Sequence, residues 1–280
     1  MHEKVEAIFP EDLKELIQKS REGTYTLLDV RQPVEFEEGH LPGARLIPLP
    51  ELADSLGTLD PRKPTVVYCA VGGRSLMAAQ LLSNQGFQKV LQLRGGIQAW
   101  EDPAAVGPVE FPLKFIRGDE SPREVIQLAL LMERGLKRFH STATENTDDP
   151  SLKQLLNSLV KAEESHERTL VDLLEQVDPG QDDAEQWFGT PDDTLLMEGG
   201  IDMEVFMQEN EQYLQTVSGY LEVAMMIETQ ALDLYLRMAA ASSNEETQKV
   251  LYRIGEEEKI HLGMLGRLLD ENAGTPFRVS

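Results

Sequence analysis

The chain has 280 residues, 41% of them hydrophobic and 27% charged, which is enough for two domains that each bury a core. Its net charge is −23, with 33 of the 49 acidic side chains beyond position 118 and no Lys or Arg between Arg168 and Arg237; this excludes a nucleic-acid partner and reads first as a solubility device. The single cysteine, Cys69, excludes an internal disulfide and a four-cysteine metal centre; with no apolar run of about 18 residues and no export pattern over Met1–Glu6, no membrane contact and a cytoplasmic location are expected.

Residues 5–102 alternate between short units. Pro10–Ser20 is predicted helical, with Leu13, Leu16 and Ile17 as its apolar stripe. Tyr25–Val30, Thr65–Cys69 and Val90–Leu93 are apolar or β-branched runs that predict buried strands, and Ser75–Gln85 predicts a helix between the last two. This alternation implies a small α/β domain with a mostly parallel sheet over 1–103. Residues 104–120, punctuated by Pro108, Pro112 and Gly118, read as a linker. Ser121-Pro122-Arg123-Glu124 is a capping box with proline at the first helical position. Four long helices are then predicted, at 122–146, 150–177, 208–241 and 245–271, the last capped by Ser243 with Glu246. Between the second and third, Asp178–Met207 has the length of a crossover joining two antiparallel helix pairs, so 121–272 is predicted to be an all-α four-helix bundle and 273–280 a tail.

The loop Cys69-Ala70-Val71-Gly72-Gly73-Arg74-Ser75 joins a predicted strand to a predicted helix. A cysteine there faces successive backbone N–H groups and a helix N-terminus, both of which favour a thiolate and an adjoining anion. Gly72 and Gly73 let the backbone curl, and Arg74 adds a fixed positive charge. Taken alone, the loop suits either a nucleophile for sulfane sulfur or plain packing of a strand-end cysteine.

Its surroundings resemble the rhodanese domain, a sulfurtransferase fold, over residues 5–102. Leu28-Asp29-Val30-Arg31 is similar to that family's first core strand, and Phe36-Glu37-Glu38-Gly39-His40-Leu41-Pro42-Gly43-Ala44 to its upstream signature. The run from Cys69 to Ser75 is similar to its active loop, and Leu93-Arg94-Gly95-Gly96 through Trp100 to its final turn. The resemblance implies that Cys69 bears a persulfide, that the backbone of Ala70, Val71, Gly72, Gly73 and Arg74 cradles the transferred sulfur, and that Arg74 orients an anionic donor. It also implies a sulfane-sulfur donor and a thiol acceptor. The six residues from Cys69 to Arg74 match the loop length used for sulfur rather than phosphate. Ala70 and Val71 are uncharged where strong thiosulfate users carry a basic residue, which leaves the donor open. Asp29 and His40 are expected to hold the fold by hydrogen bonds.

The second half repeats itself. Glu133, Glu163 and His166 recur without a gap as Glu228, Glu258 and His261, 95 residues later. Glu and His at i, i+3 share a helix face, and each Glu sits on the apolar stripe of its helix. Leu156, Leu159 and Leu170 flank Glu163; Leu251, Ile254 and Leu265 flank Glu258. Four carboxylates in one core would repel one another and take up protons unless cations balanced them. Two metal ions held by Glu133, Glu163, His166, Glu228, Glu258 and His261 resolve the conflict, and the oxygen-rich set favours iron, with manganese second; no organic cofactor is expected. His140 and Tyr235 stand seven residues after Glu133 and Glu228, two turns on over the same face. They are either hydrogen-bond partners of the ligand carboxylates or, for Tyr235, a core aromatic.

Residues 120–272 resemble the rubrerythrin group of the ferritin-like superfamily through these six residues and the long crossover. The resemblance implies a carboxylate-bridged di-iron centre with Glu163 and Glu258 as bridges, reactive toward peroxide or dioxygen, and a homodimer. Two departures stand out: Ala231 occupies the place of an extra glutamate, and the four-cysteine module is missing, so electrons would come from a separate donor protein. The leading expectation is a sulfurtransferase fused to a metal-binding redox module. The alternatives are a peroxide or oxygen reductase whose rhodanese half docks a partner, and a non-enzymatic carrier of iron or sulfur.

Overall fold

The computed structural model describes residues 5–109, 116, 118–179, 196–197 and 201–273. The chain divides into two compact units, one built on Met1–Pro112 and the other on Leu113–Leu232 and Met238–Ser280.

The first unit is a five-stranded, fully parallel sheet. Its strands are β1 (Glu6–Ile8), β2 (Thr26–Asp29), β3 (Arg45–Leu46), β4 (Thr65–Tyr68) and β5 (Val90–Leu93), in the order β1-β5-β4-β2-β3. Helices α1 (Pro10–Lys19), α2 (Pro33–Glu38), α3 (Leu52–Ser55) and α4 (Gly73–Asn84) connect them. Every residue of β4 and β5 is buried, as a parallel strand covered on both faces requires. Side chains alternate across the sheet, and this sorts the core into two layers. Leu27, Val66, Tyr68 and Leu91 pack with Leu13 of α1 and Phe36 of α2. Leu28, Val67, Cys69 and Val90 pack with Ala78, Ala79 and Leu82 of α4. The alternation that buries Val67 therefore also turns Cys69 toward α4.

The strands expected at 25–30, 65–69 and 90–93 are present, as are the helices at 10–20 and 75–85. Missed were β1, α2, β3 and α3, each of six residues or fewer and so too short for a repeating pattern, and β1 has one buried residue among three. Residues 104–107, expected to open the linker, run along this unit: His40 and Ala105 exchange backbone hydrogen bonds of 2.8 and 2.9 Å, and the Gly107 N–H donates to the Glu37 carbonyl at 2.9 Å. Linker residues 110–115 and 117 lie outside the described residues.

The second unit is mostly helical. Its long helices are α5 (Pro122–Asn146), α6 (Pro150–Val177), α8 (Val217–Ala241) and α9 (Glu245–Ala273). One core draws on all four, with Leu136 and Phe139 of α5, Leu156 and Leu159 of α6, Tyr220 and Ile227 of α8, and Leu265 of α9. Ser121 and Glu124 form the expected capping box. The third helix departs from expectation. A separate short helix, α7 (Met203–Asn210), precedes it, and α8 begins only at Val217. There the Thr216 hydroxyl accepts the Gly219 N–H at 3.1 Å, and a Cβ on Gly219 would lie 2.4 Å from the Tyr213 carbonyl oxygen, so the chain must turn before α8 starts. The cap of α9 is Asn244 rather than Ser243: its side-chain oxygen accepts from the Glu246 and Thr247 N–H groups at 3.0 and 3.2 Å. Of the expected crossover, 180–195 and 198–200 lie outside the described residues, as does the tail from 274; the described part holds a short antiparallel pair, β6 (Leu196–Met197) with β7 (Ile201–Asp202). No helix among the described residues is long and apolar enough to cross a membrane.

The turn after β5 braces the end of β4. Ile97 and Gln98 donate backbone N–H groups to the Cys69 and Ala70 carbonyls at 2.8 and 3.2 Å. Gly96 has φ +62°, and a Cβ there would lie 2.3 and 2.4 Å from those two oxygens. Gly96→Ala should therefore lower the first unit's stability by about 2 kcal/mol or more, read as a lower urea midpoint of the full chain. An unchanged midpoint would mean that the turn can shift freely.

Candidate functional site

The Cys69 side chain is 1% exposed at the end of β4. Its sulfur accepts the Gly72 N–H at 3.1 Å and lies 3.6 Å from the Ser75 hydroxyl. Burial pushes the thiol pKa up, but the Ser75 hydroxyl and the N–H groups of Ser75, Gly72 and Val71 outweigh it, so the net shift is downward. Gln92 secures this arrangement, donating to Ser75 Oγ at 3.2 Å and to the Leu93 carbonyl at 2.8 Å. Gly72, at φ +117°, lets the loop turn its N–H back onto the sulfur, and a Cβ there would sit 3.1 Å from the Gln92 amide nitrogen. Gly73 begins α4, placing the helix N-terminus beside the thiol. Val71 is exposed at the loop surface.

Arg74 does not stand free. Its two terminal nitrogens donate to the two carboxylate oxygens of Glu35, each at 2.6 Å. Glu35 sits in the first turn of α2, where its carboxylate also accepts the Gln32 N–H at 3.1 Å. Sequence reading passed over Glu35, because packing alone brings it to a partner 39 residues away. Ser75 and Gln92 were likewise not singled out as site residues; Gln92, a polar residue in the middle of an apolar strand run, was the available signal. Asp29 and His40 take fold-holding positions. Asp29 is fully buried against Arg31, whose Nε and Nη2 reach its carboxylate at 2.7–3.0 Å and whose Nη2 also donates to the Gly39 carbonyl. The His40 ring stacks on Phe36 at 3.6 Å, with Nδ1 2.8 Å from the Phe36 carbonyl oxygen.

In the second unit the six acid and imidazole side chains meet as two triads. Glu133 from α5 joins Glu163 and His166 from α6, and Glu228 from α8 joins Glu258 and His261 from α9; in each, one donor atom per residue lies within 4.8 Å of the others. All four carboxylates are at most 4% exposed. His166 Nδ1 is 2.9 Å from Glu163 and 3.6 Å from Glu133, and His261 Nδ1 is 3.5 Å from both Glu228 and Glu258. The two imidazoles stack at 3.4 Å, so the triads adjoin. One oxygen each of Glu133, Glu228 and Glu258, and Nδ1 of His261, are buried without a hydrogen-bond partner. Buried polar atoms are rarely left so; three of these belong to the Glu228 triad and one to the Glu133 triad. A cavity of about 20 Å³, the space of about one water, borders Glu133, His166 and Glu258, with Arg253 and Thr169 in its wall.

The electrostatics of this cluster are strained as protein alone. Burial, then the charges of Glu163 and Glu258, holds the Glu133 carboxyl far above its usual range. Glu163 moves the other way: burial raises it, but hydrogen bonds from His140 and His166 outweigh that. Burial is also the largest cause lifting Glu258, to about 8; burial lowers His261, but the facing Glu228 and Glu258 carboxylates 3.5 Å away outweigh it and lift it to about 11. His140, fully enclosed, has Nε2 3.5 Å from Glu163 and Nδ1 2.7 Å from the Tyr220 hydroxyl. Tyr220, 80 residues from His140, was not singled out. Tyr235 is completely buried in α8.

Residues 10–103 match the family model described as "Rhodanese-like domain". A "Sulfurtransferase" of Allochromatium vinosum is 38% identical over 74 residues, covering 26% of this chain and 69% of that protein. A "Thiosulfate sulfurtransferase GlpE" of Shewanella oneidensis is 36% identical over 93 residues, covering 33% of this chain and 92% of that protein. A "Rhodanese-like/PpiC domain-containing protein 12, chloroplastic" of Arabidopsis thaliana is 45% identical over 78 residues, and there the chain spans only 26% of the relative's length.

Two outcomes follow from this geometry. Ser75→Ala removes a hydroxyl that favours the thiolate; Cys69 should then alkylate several-fold more slowly at neutral pH, with the rate–pH midpoint moved upward. In the metal-free protein, Glu258 and His261 both bind protons more tightly folded than unfolded. Their contribution to stability is complete below their ordinary values of 4.5 and 6.5 and is lost as pH rises toward about 8 and about 11. With a chelator present, the urea midpoint of the helical unit should fall between pH 5 and pH 8; a midpoint that rises over this window would contradict the assignment.

Proposed function

This chain belongs to the rhodanese-like family through residues 10–103, and from that premise we propose that it is a sulfurtransferase working through Cys69. The observation that supports this reading most directly is a thiol whose pKa is lowered by the Ser75 hydroxyl and loop N–H groups against the burial that would raise it. The Cys69 thiolate attacks the outer sulfur of a sulfane donor. The donor's S–S bond breaks, its electron pair leaves with the departing group, and a persulfide forms on Cys69. The backbone of Ala70, Val71, Gly72, Gly73 and Arg74 surrounds the added sulfur, and its N–H groups stabilise the anion. An acceptor thiolate then takes that sulfur and the Cys69 thiolate returns. Cys69→Ser should abolish thiocyanate release from cyanide and a sulfane donor. Persistent release would sink the proposal.

For the second unit we propose a ferritin-like bundle holding two metal ions, iron or alternatively manganese. Glu133, Glu163 and His166 would hold one, and Glu228, Glu258 and His261 the other. What favours this is the set of buried donor atoms without partners, which cations would satisfy. Such ions supply one-electron redox chemistry toward peroxide or dioxygen. The protein's part is to hold six donors in a dry core, to leave a passage the size of a water molecule beside Glu133 and His166, and to receive electrons from a separate protein. Elemental analysis after growth in iron-rich medium should find about two metal ions per chain, and Glu258→Ala with His261→Ala should remove at least one. Metal content unaffected by the double substitution would place the ions elsewhere.

A further inference from the structure

The charge around the Cys69 loop bears on the kind of donor it accepts. Arg74 is the loop's one cation; both of its terminal nitrogens bond Glu35, its strongest partner, and the same guanidinium also acts on the Cys69 sulfur. The Gln32 N–H holds the same carboxylate in the first turn of α2, so the pair is fixed from both sides. The hydrogen bonds from Arg74 are the chief reason the Glu35 pKa is drawn down to about 2, so the carboxylate is charged whenever the thiolate is. Ala70, Val71, Gly72 and Gly73 add no charge. Val71 in the loop and Met77, six residues on in α4, are each 63% exposed and apolar. Any attraction Arg74 offers a dianion is countered by repulsion from a carboxylate bonded to the same guanidinium.

Resting on the sulfurtransferase reading, we infer that Glu35 sets the donor preference of this loop, favouring sulfane sulfur on a carrier of low negative charge, such as an organic persulfide, over a dianionic inorganic donor. With an organic persulfide the thiolate of Cys69 attacks the terminal sulfur, the S–S bond breaks, and the carrier departs as its thiolate with the electron pair. The persulfide proton passes to Cys69–S–SH or to solvent, and no oxidant or reductant is consumed. Glu35 touches neither sulfur; it acts by neutralising Arg74.

The test varies donor charge on the full chain. Thiosulfate and methanethiosulfonate both present sulfane sulfur on a sulfonyl sulfur, as dianion and monoanion, and cyanide serves as acceptor. Comparing variant with wild type cancels the donors' intrinsic reactivities. Glu35→Gln should raise kcat/KM for thiosulfate about tenfold more than for methanethiosulfonate. An unchanged ratio, or one shifted toward the monoanion, overturns the inference. A second measurement needs no turnover: the rate ratio of Cys69 alkylation by iodoacetate against iodoacetamide. It should rise in Glu35→Gln and fall in Arg74→Gln, opposite signs that a general folding defect would not produce. If neither donor yields thiocyanate, the sulfurtransferase reading fails, and the alkylation ratios still decide whether Glu35 governs the field at the thiol.

Discussion

Negative charge removed from water needs a fixed partner, and both units of this protein are organised around that constraint. Stripping a carboxylate of its hydration costs several kcal/mol even after relaxation. In the first unit the protein meets the cost with its own groups. Arg31 grips the buried Asp29, and the Cys69 sulfur is met by the Ser75 hydroxyl and loop N–H groups. In the second unit the protein's own groups fall short. His140 and His166 address Glu163, while one oxygen each of Glu133, Glu228 and Glu258 and one ring nitrogen of His261 are left over. That shortfall sets the helical cluster apart from a site that its own polypeptide completes.

The sheet and the helices solve the positioning problem in different ways. A parallel strand buried on both faces has little freedom, since a slip of one residue would move its apolar side chains to the wrong layer. The end of β4 is therefore a rigid platform, and Cys69 inherits its direction from Val67. The helical unit instead relies on repetition. Two segments with the same ligand spacing lie in one core, and their imidazoles come face to face.

Much of this was readable from residue order, for identifiable reasons. Central strands showed as apolar runs because both faces are covered, and long helices showed because a stripe repeated over many turns outweighs local noise. The six acid and histidine positions stood out because burial and spacing coincided twice. Edge features were not readable: β3 has two residues and α2 six, too few for either period to repeat enough to stand out. The break before α8 depends on a close approach of Gly219 to Tyr213, which no composition rule signals. Glu35 facing Arg74 and Tyr220 facing His140 are products of tertiary packing, invisible to spacing along one element. His140 and Tyr235 match as sequence positions, yet the contact to Glu163 comes from His140, whose other nitrogen meets Tyr220.

The tether from the Gly96 turn also fixes the polarity of the loop. A peptide group is planar, so its carbonyl and the following N–H point in opposite directions. When Gln98 draws the Ala70 oxygen toward the turn, it commits the Val71 hydrogen to the opposite side, among the groups that favour the Cys69 thiolate. Ile97 likewise holds the Cys69 oxygen toward the turn. Two ordinary main-chain bonds, made 28 residues further along the chain, thus act as levers on the amide dipoles around the thiol.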